Sequence, residues 1–282
     1  MLEAIIGLIF ATILIYVFGK LSEIEYPSEG YMFTVYPWLT TAPETISTTI
    51  YALKGYHTTA IANSIYSATF DFLVAFGLAT LVHGENEVKT VDLGFLSALS
   101  VLVFLLLDFD AQITRVDGFV LYAVLFALMM YSIYVYGLPS FKGFRGFDVA
   151  RVLTGLLGLG FSSFLFAKYV MDLIPYVGEM IAGVISASLT SVPDMVVALI
   201  YGMTTPYSQS QIFGCIAHDF VENIATASIV AGLIVDANPV ATFAVVATTV
   251  AMMLVTLSHG RITKFEAILI IIAYIVASLF II

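Results

Sequence analysis

The chain is poor in charge and almost without cysteine. Only 11% of its 282 residues are Asp, Glu, Lys or Arg, and Lys and Arg together number 10. That scarcity excludes a basic face able to hold nucleic acid. The single cysteine, Cys215, has no intrachain partner, so a disulfide framework and a thiolate metal site within one chain are excluded. No low-complexity tract and no polar stretch long enough for a soluble domain interrupts the sequence. The first apolar run opens Met1-Leu2-Glu3 with no Lys or Arg before it and no small-residue cleavage site, and reads as a retained first span rather than a signal peptide.

What remains is apolar: 61% hydrophobic residues and a mean hydropathy of +1.04. This is the composition of a polytopic membrane protein. The net charge of −10 belongs mostly to acids in the connections, where a solvated loop charge is the ordinary reading. Apolar runs of about 20 residues predict ten all-α transmembrane helices. They cover 2–19, 30–54, 57–82, 91–107 and 118–138, then 149–173, 177–203, 207–235, 239–258 and 262–282. Proline, glycine and charge at 139–148 mark a connecting cytoplasmic loop between a first repeat, 1–138, and a second, 149–282.

Two of these spans are interrupted by a proline followed by an acid. Thr40-Thr41-Ala42-Pro43-Glu44 lies inside the second, and Thr190-Ser191-Val192-Pro193-Asp194 inside the seventh. Proline removes a helix N–H and clashes with the preceding turn, so both helices are predicted to break there. A carboxylate at mid-bilayer costs about 2.5–3.5 kcal/mol on insertion scales and is seldom found without a cation or partner. A matched pair of interrupted helices points to a transporter's binding site.

Placing Thr40–Glu44 over Thr190–Asp194 also superimposes 63–71 on 215–223, with a two-residue insertion near Pro206. With the N-terminus outside, the inner connections hold Lys20, Lys89, Lys142, Arg145, Arg151, Arg261 and Lys264, against Lys54, Arg115 and Lys168 outside. Basic residues accumulate on the inner side, so both termini are expected outside. Five spans per half then make the repeat an inverted one.

A hard divalent cation such as Ca2+ takes six to eight oxygens, mixing carboxylates with carbonyls and hydroxyls. Glu44 and Asp194 supply acids at the breaks, and Thr40, Thr41, Thr190 and Ser191 lie within a turn of them. Ser67 with Asp71, and Asp219 with Asn223, are each spaced i,i+4 and therefore share a helical face. The acids at Glu44 and Asp194 also suit the positive helix ends they begin. Each element has a plainer reading. Prolines kink membrane helices for structural reasons, small hydroxyls such as Ser47, Thr48 and Thr49 serve packing, and a lone Asp71 can be a satisfied bundle residue. Recurrence of acid, proline and hydroxyls in both halves favours the cation site.

His218 and Glu222 are also i,i+4. A proton relay or metal ligand is one reading; a neutral histidine hydrogen-bonding a neighbour is the other, and Glu222 is an extra coupling group or a protonated acid. Gly155, Gly158 and Gly160, followed by Ser162 and Ser163, give the sixth span a smooth face for close packing or for sliding.

At these motifs the chain resembles the cation/calcium antiporter superfamily, which includes the sodium/calcium exchangers. The family carries two inverted repeats, each with a G-T-S-x-P-E-like motif on a broken helix and a G-N-x-x-G-S-N-x-x-N/D-like motif on the next. Here these read T-T-A-P-E (40–44) with A-N-S-I-Y-S-A-T-F-D (62–71), and T-S-V-P-D (190–194) with G-C-I-A-H-D-F-V-E-N (214–223). The resemblance implies that Glu44 and Asp194 are central Ca2+ ligands, and that Thr40, Thr190, Ser67, Asp71 and Asn223 give sodium or secondary contacts. Several family glycines are missing, Cys215 stands where Asn is usual and Asp219 where Ser is usual. An aspartate after the second proline resembles the potassium-dependent branch, while Asp219 and Glu222 resemble the acidic second motif of proton/calcium exchangers.

The resulting expectation is a secondary antiporter, not an enzyme, exchanging Ca2+ for Na+ or H+ without a cofactor in a prokaryotic-type cell membrane. Its partners are the transported cations and lipid. The competing readings are an exchanger of another divalent cation, a passive cation channel, and an intramembrane aspartyl protease using Asp71 and Asp219.

Overall fold

The computed structural model describes residues 1–22, 28–137 and 146–278; the side chains of Gly146, Phe147, Pro193, Asp194, Val197, Tyr201, Ala277 and Ser278 lie outside that description. Six helical stretches are long and apolar enough to cross a membrane. They are α1 (Leu2–Ser22), α4 (His57–Phe72) with its continuation through α5 (Ala79–His83), α6 (Val91–Leu107), α7 (Arg115–Tyr136), α8 (Gly146–Val177) and α12 (Pro239–His259). The interrupted pairs are α2 (Glu29–Thr40) with α3 (Ala42–Leu53), and α9 (Glu179–Thr190) with α10 (Val192–Tyr201). α11 (Pro206–Ala231) and α13 (Lys264–Ser278) complete the bundle.

Three features differ from the sequence reading. α8 begins at Gly146, inside the stretch 139–148 read as the connecting loop; residues 138–145 lie outside the described part. The third span is one path but not one regular helix, since Leu73–Leu78 widens into a π turn between α4 and α5. The eighth span ends at Ala231, and the rest of 207–235 forms a short strand, β3 (Leu233–Val235). α11 is too polar to stand among the six membrane-length stretches, because it carries Gln209, Gln211, His218, Asp219, Glu222 and Asn223. It is covered on all sides, with every residue from Gln209 to Ala225 buried.

Local chemistry sets the helix ends. Thr114 and Asp117 form a capping box at the start of α7, which stops at Gly137 with φ 74°. Thr205 accepts from Ser208 N ahead of Pro206, and Asn238 accepts from Ala241 N ahead of Pro239. In each case proline occupies the first helical position, where its missing N–H is not needed.

Contacts between connections establish which helix ends lie together. β1 (Asn86–Glu87) pairs antiparallel with β4 (Arg261–Ile262), and β2 (Gln112–Thr114) with β3. α6 runs from the first ribbon to the second, and α12 runs back. α4 starts at the second ribbon, where Val235 N donates to His57 Nδ1 at 3.2 Å. α11 starts at the first, where Gln209 Nε2 donates to Glu87 O at 2.7 Å and Lys89 N donates to Gln209 Oε1 at 2.7 Å. The two central helices therefore run in opposite directions. The broken pairs do so as well. Thr59 Oγ1 donates to Glu179 O at 3.1 Å, placing the start of α9 at the second ribbon, whereas Gly30 near the start of α2 abuts Gly137 O at the far end of α7.

α1 packs almost wholly on α8, antiparallel, with the outer faces of both left apolar and exposed. Glycine permits this approach: a Cβ on Gly155 would sit 2.6 Å from Ser22 N, and one on Gly158 would overlap the Phe18 ring. Gly155→Val is expected to separate the two helices and destabilise the protein by about 1–3 kcal/mol, the usual cost of overpacking, read as a lowered Tm in detergent. An unchanged Tm would mean that the interface yields freely.

Candidate cation site

Both helix breaks have the same backbone. Thr41 sits at φ −87°, ψ 0° and Ser191 at φ −77°, ψ −4°, each between two helices and each two residues before a proline. Pro43 and Pro193 have no N–H to donate to the carbonyl four residues back, so the ladder lapses there. The break nevertheless stays tied: Thr41 N donates to Pro37 O at 2.7 Å and Ser191 N to Ala187 O at 3.1 Å.

Glu44 lies in the first turn of α3 and is only 2% exposed. The positive end of that helix favours its charge. Ser67 on α4 donates its hydroxyl to Glu44 Oε1 at 3.4 Å, and Ser67 Oγ lies 2.6 Å from Ser191 Oγ. One hydroxyl thus links the acid of the first break to the second break. Asp71 is buried one turn beyond Ser67, and Asn63 lies one turn before it. Asn63 Nδ2 donates to Thr48 Oγ1 at 2.8 Å and to Glu44 O at 3.4 Å.

From the other half, α11 brings Asp219 and Asn223. Asn223 Nδ2 donates to Asp219 Oδ1 at 3.0 Å, and Asn223 Oδ1 accepts from Thr45 Oγ1 at 2.6 Å. The Ser64 hydroxyl donates to the Asp219 carbonyl. The polar core is therefore one assembly drawn from α3, α4, α11 and the turn before α10. Asp194 follows Ser191 by three residues in the first turn of α10, and its side chain lies outside the described residues.

The four break hydroxyls divide. Thr40 donates to Pro37 O at 3.2 Å and Thr190 to Ser186 O at 3.1 Å, so both turn back onto their own helices. Ser191 faces Ser67. The Thr41 hydroxyl is buried and, like Asn63 Oδ1, has no hydrogen-bond partner among the described residues. Such oxygens are what a hard cation recruits. Among the described residues no three His, Cys, Asp or Glu groups converge as a metal cluster. The oxygens present are single acids dispersed among hydroxyls and amides.

Glu222 stands apart from that assembly. It hydrogen-bonds His218 Nδ1 at 2.5 Å, and the pair borders a lateral cavity of about 210 Å³ with Trp38, Tyr122 and Phe126. His218 is buried and pairs along its own helix with Glu222, not with a neighbouring helix. Thr45, Thr48, Asn63 and Ser64 were missing from the sequence-derived site. Asn63 had a usable signal, since 63, 67 and 71 continue one i,i+4 face; Thr45 and Thr48 had none, because hydroxyls are common on packed helices.

Residues 2–134 match the family model described as sodium/calcium exchanger protein. No curated protein matches the sequence. The fold is similar to that of the sodium-calcium exchanger NCX_Mj soaked with zero Na+ and Ca2+, with a TM-score of 0.72 over 100% of both chains at 17% identity. It is also similar to NCX_Mj soaked with 2.5 mM Na+ and 10 mM Sr2+, at a TM-score of 0.71 and 16% identity over 98% of this chain and 95% of that one. The H+/Ca2+ exchanger CAX gives a TM-score of 0.70 at 18% identity over 99% of this chain and 84% of that chain. At these identities the likeness is one of fold.

Proposed function

We infer that this chain is a member of the cation/calcium antiporter superfamily, a secondary-active exchanger moving Ca2+ against Na+ or H+ by alternating access. The observation that carries this reading is the contact of Glu44 with Ser67 and of Ser67 with Ser191, which joins the acid of one broken helix to the break of the other inside the bundle. Residues 1–138 and 149–282 are the two inverted five-helix repeats. The opposite directions of α4 and α11, and of the two broken pairs, support this arrangement.

In this mechanism Glu44 and Asp194 hold the cation at mid-membrane. Asp219, Asn223, Asp71, Ser67, Ser191 and Thr41 complete the oxygen shell, with the backbone at Thr40 and Thr190 beside them. An uncompensated acid in the bilayer core is strongly unfavourable, so the acids do not return across the membrane bare. One ion leaves only as another replaces it, and that penalty couples the two fluxes. α1, which packs mainly on α8, moves together with α8 against the remaining bundle. The ribbon of β1 and β4 faces the cell interior, because Lys20, Lys89, Arg151, Arg261 and Lys264 gather at that end against Lys54, Arg115 and Lys168 at the other, and both termini lie outside. The fold's solved relatives include both a sodium-calcium and an H+/Ca2+ exchanger, so Na+ and H+ each remain a driving ion to be tested.

The test is Ca2+ uptake by proteoliposomes under an imposed Na+ gradient and, separately, an imposed pH gradient. Uptake driven by one gradient and abolished by its collapse supports exchange and names the driving ion. Downhill Ca2+ flux that needs no counter-ion would instead identify a channel. Peptide cleavage without flux would identify a protease.

A further inference from the structure

Two buried acids at the second ribbon have no part in the cation site. Asp108 follows α6 and opens a one-turn 3-10 segment, Asp108–Asp110; Asp236 follows β3. Each is 4% exposed. Strand register brings them together. Gln112 pairs with Val235, and one step further Asp236 N donates to Ala111 O at 2.9 Å while Ala111 N donates to Asp108 O at 2.9 Å. Ala111 is held at φ 61°, the only non-glycine residue with positive φ among the described residues. An alanine stays in that disfavoured region only where its surroundings hold it.

The register and the turn at Ala111 bring the two buried side chains to the same corner of the ribbon. Asp108 Oδ1 and Asp236 Oδ2 are buried and meet no donor among the described residues, and Asp236 Oδ1 accepts from Asn238 N at 2.8 Å. Ionised carboxylates only accept, so two buried carboxyl oxygens that meet no donor can satisfy each other only through a shared proton. Among the described residues no Lys, Arg or His forms an ion pair with either acid. Asp110 in the same turn adds a like charge and accepts from Gln112 N at 3.1 Å. Arg115, at the start of α7, turns its Nε to Ile229 O at 2.9 Å, while Asp117 is engaged in the α7 cap. On α4, His57 accepts from Val235 N. α6 and α12 present Leu105, Val240 and Phe243, which with Asp108 line a cavity of about 230 Å³.

We propose that Asp108 and Asp236 form a proton-binding site separate from the central cluster, whose shared proton latches the α6–α7 connection to the α11–α12 connection. With the proton bound, the pair is joined and Ala111 is held in register. Its loss leaves two anions in contact where water is largely excluded, and they repel. The ribbon then loosens, and with it the end of α11, the helix that carries Asp219 and Asn223. Two ordinary carboxyls in an unfolded chain bind no proton near neutrality. The folded state therefore holds more protons than the unfolded one, and the latch weakens as pH rises.

The full-length protein in detergent tests this without any transport assay. The infrared C=O stretch of a protonated carboxyl is expected in the wild type, bleaching as pH rises, and reduced in both Asp236→Asn and Asp108→Asn, in which an amide can donate to the remaining carboxylate. Protection factors for the Ile113 and Ile234 amides are expected to fall by up to about tenfold per pH unit once the proton leaves, and to be flat with pH in either variant. If one variant fails to fold, the other gives the same readout. Wild-type protection that ignores pH, or a pH dependence kept in the Asn variants, overturns the site. So does a response to Ca2+ at fixed pH that replaces the response to protons.

Discussion

Proteoliposomes carrying Glu44→Gln are expected to take up no more Ca2+ than empty vesicles, while the purified variant keeps its fold and melts no lower than the wild type in cation-free buffer. Glutamine preserves the shape and the oxygen that accepts from Ser67 at 3.4 Å. It removes the charge, and with it the largest attraction the site has for a divalent ion. It also removes the cost of holding a carboxylate that is 2% exposed inside the bundle, so loss of flux and loss of stability should part company. Added Ca2+ should raise the Tm of the wild type and not that of the variant, because only a state that binds the ion is stabilised by it. By the repeat, Asp194→Asn is expected to behave alike. Retained gradient-driven uptake in either variant would remove the central role assigned to these acids.

The second large effect is expected at Asn223. Its amide donates to Asp219 Oδ1 at 3.0 Å and its oxygen accepts from Thr45 at 2.6 Å, so one side chain ties α11 to α3 beside Glu44. Asn223→Ala strips a partner from two groups inside the bundle at about 1–3 kcal/mol each. The variant should lose several degrees of Tm as well as most of its flux. Asn223→Asp offers the sharper contrast. It keeps the acceptor for Thr45 but sets a second carboxylate against Asp219, and this repulsion is relieved when a divalent cation enters. Its stability should therefore depend on Ca2+ more steeply than that of the wild type, as thermal melts across a Ca2+ titration would show. Equal Ca2+ dependence in the two proteins would place Asn223 outside the cation's reach.

Much of the backbone could be anticipated because lipid imposes strong local rules. A run of about 20 apolar residues has few alternatives to a membrane helix, and α1, α6, α7 and α12 lie where the apolar runs predict. The breaks fall at Thr41 and Ser191, beside the two prolines, because a missing N–H acts on its own turn. The π turn at Leu73–Leu78 carries no comparable mark; it depends on what packs against it, α10 and α13 among the neighbours. The two ribbons were also hidden, since strands of two or three residues are created by their partners across the bundle rather than by their own composition.

The site divides along the same line. That Glu44, Ser67, Asp71, Asp219 and Asn223 lie on buried helix faces follows from spacing and from the cost of acids in lipid. Spacing could not assign partners. Thr40 and Thr190, adjacent in the motif to Thr41 and Ser191, turn their hydroxyls back to carbonyls of their own helices. Asn63, Thr45 and Ser64 join the polar core because α3, α4 and α11 cross there. Glu222, adjacent to Asn223 in sequence, leaves the cluster for His218, since one residue along a helix is a turn of about 100°.

By itself, then, the sequence determined that this protein lives in a bilayer, where its helices break, and which acids lipid would not tolerate alone. These are consequences of local stereochemistry and of transfer from water. Only the tertiary structure decided which hydroxyls face Glu44, which acid pairs with His218, and that Asp108 meets Asp236. Hydrogen-bond partners distant in the chain are chosen by how helices cross, and no residue encodes that alone.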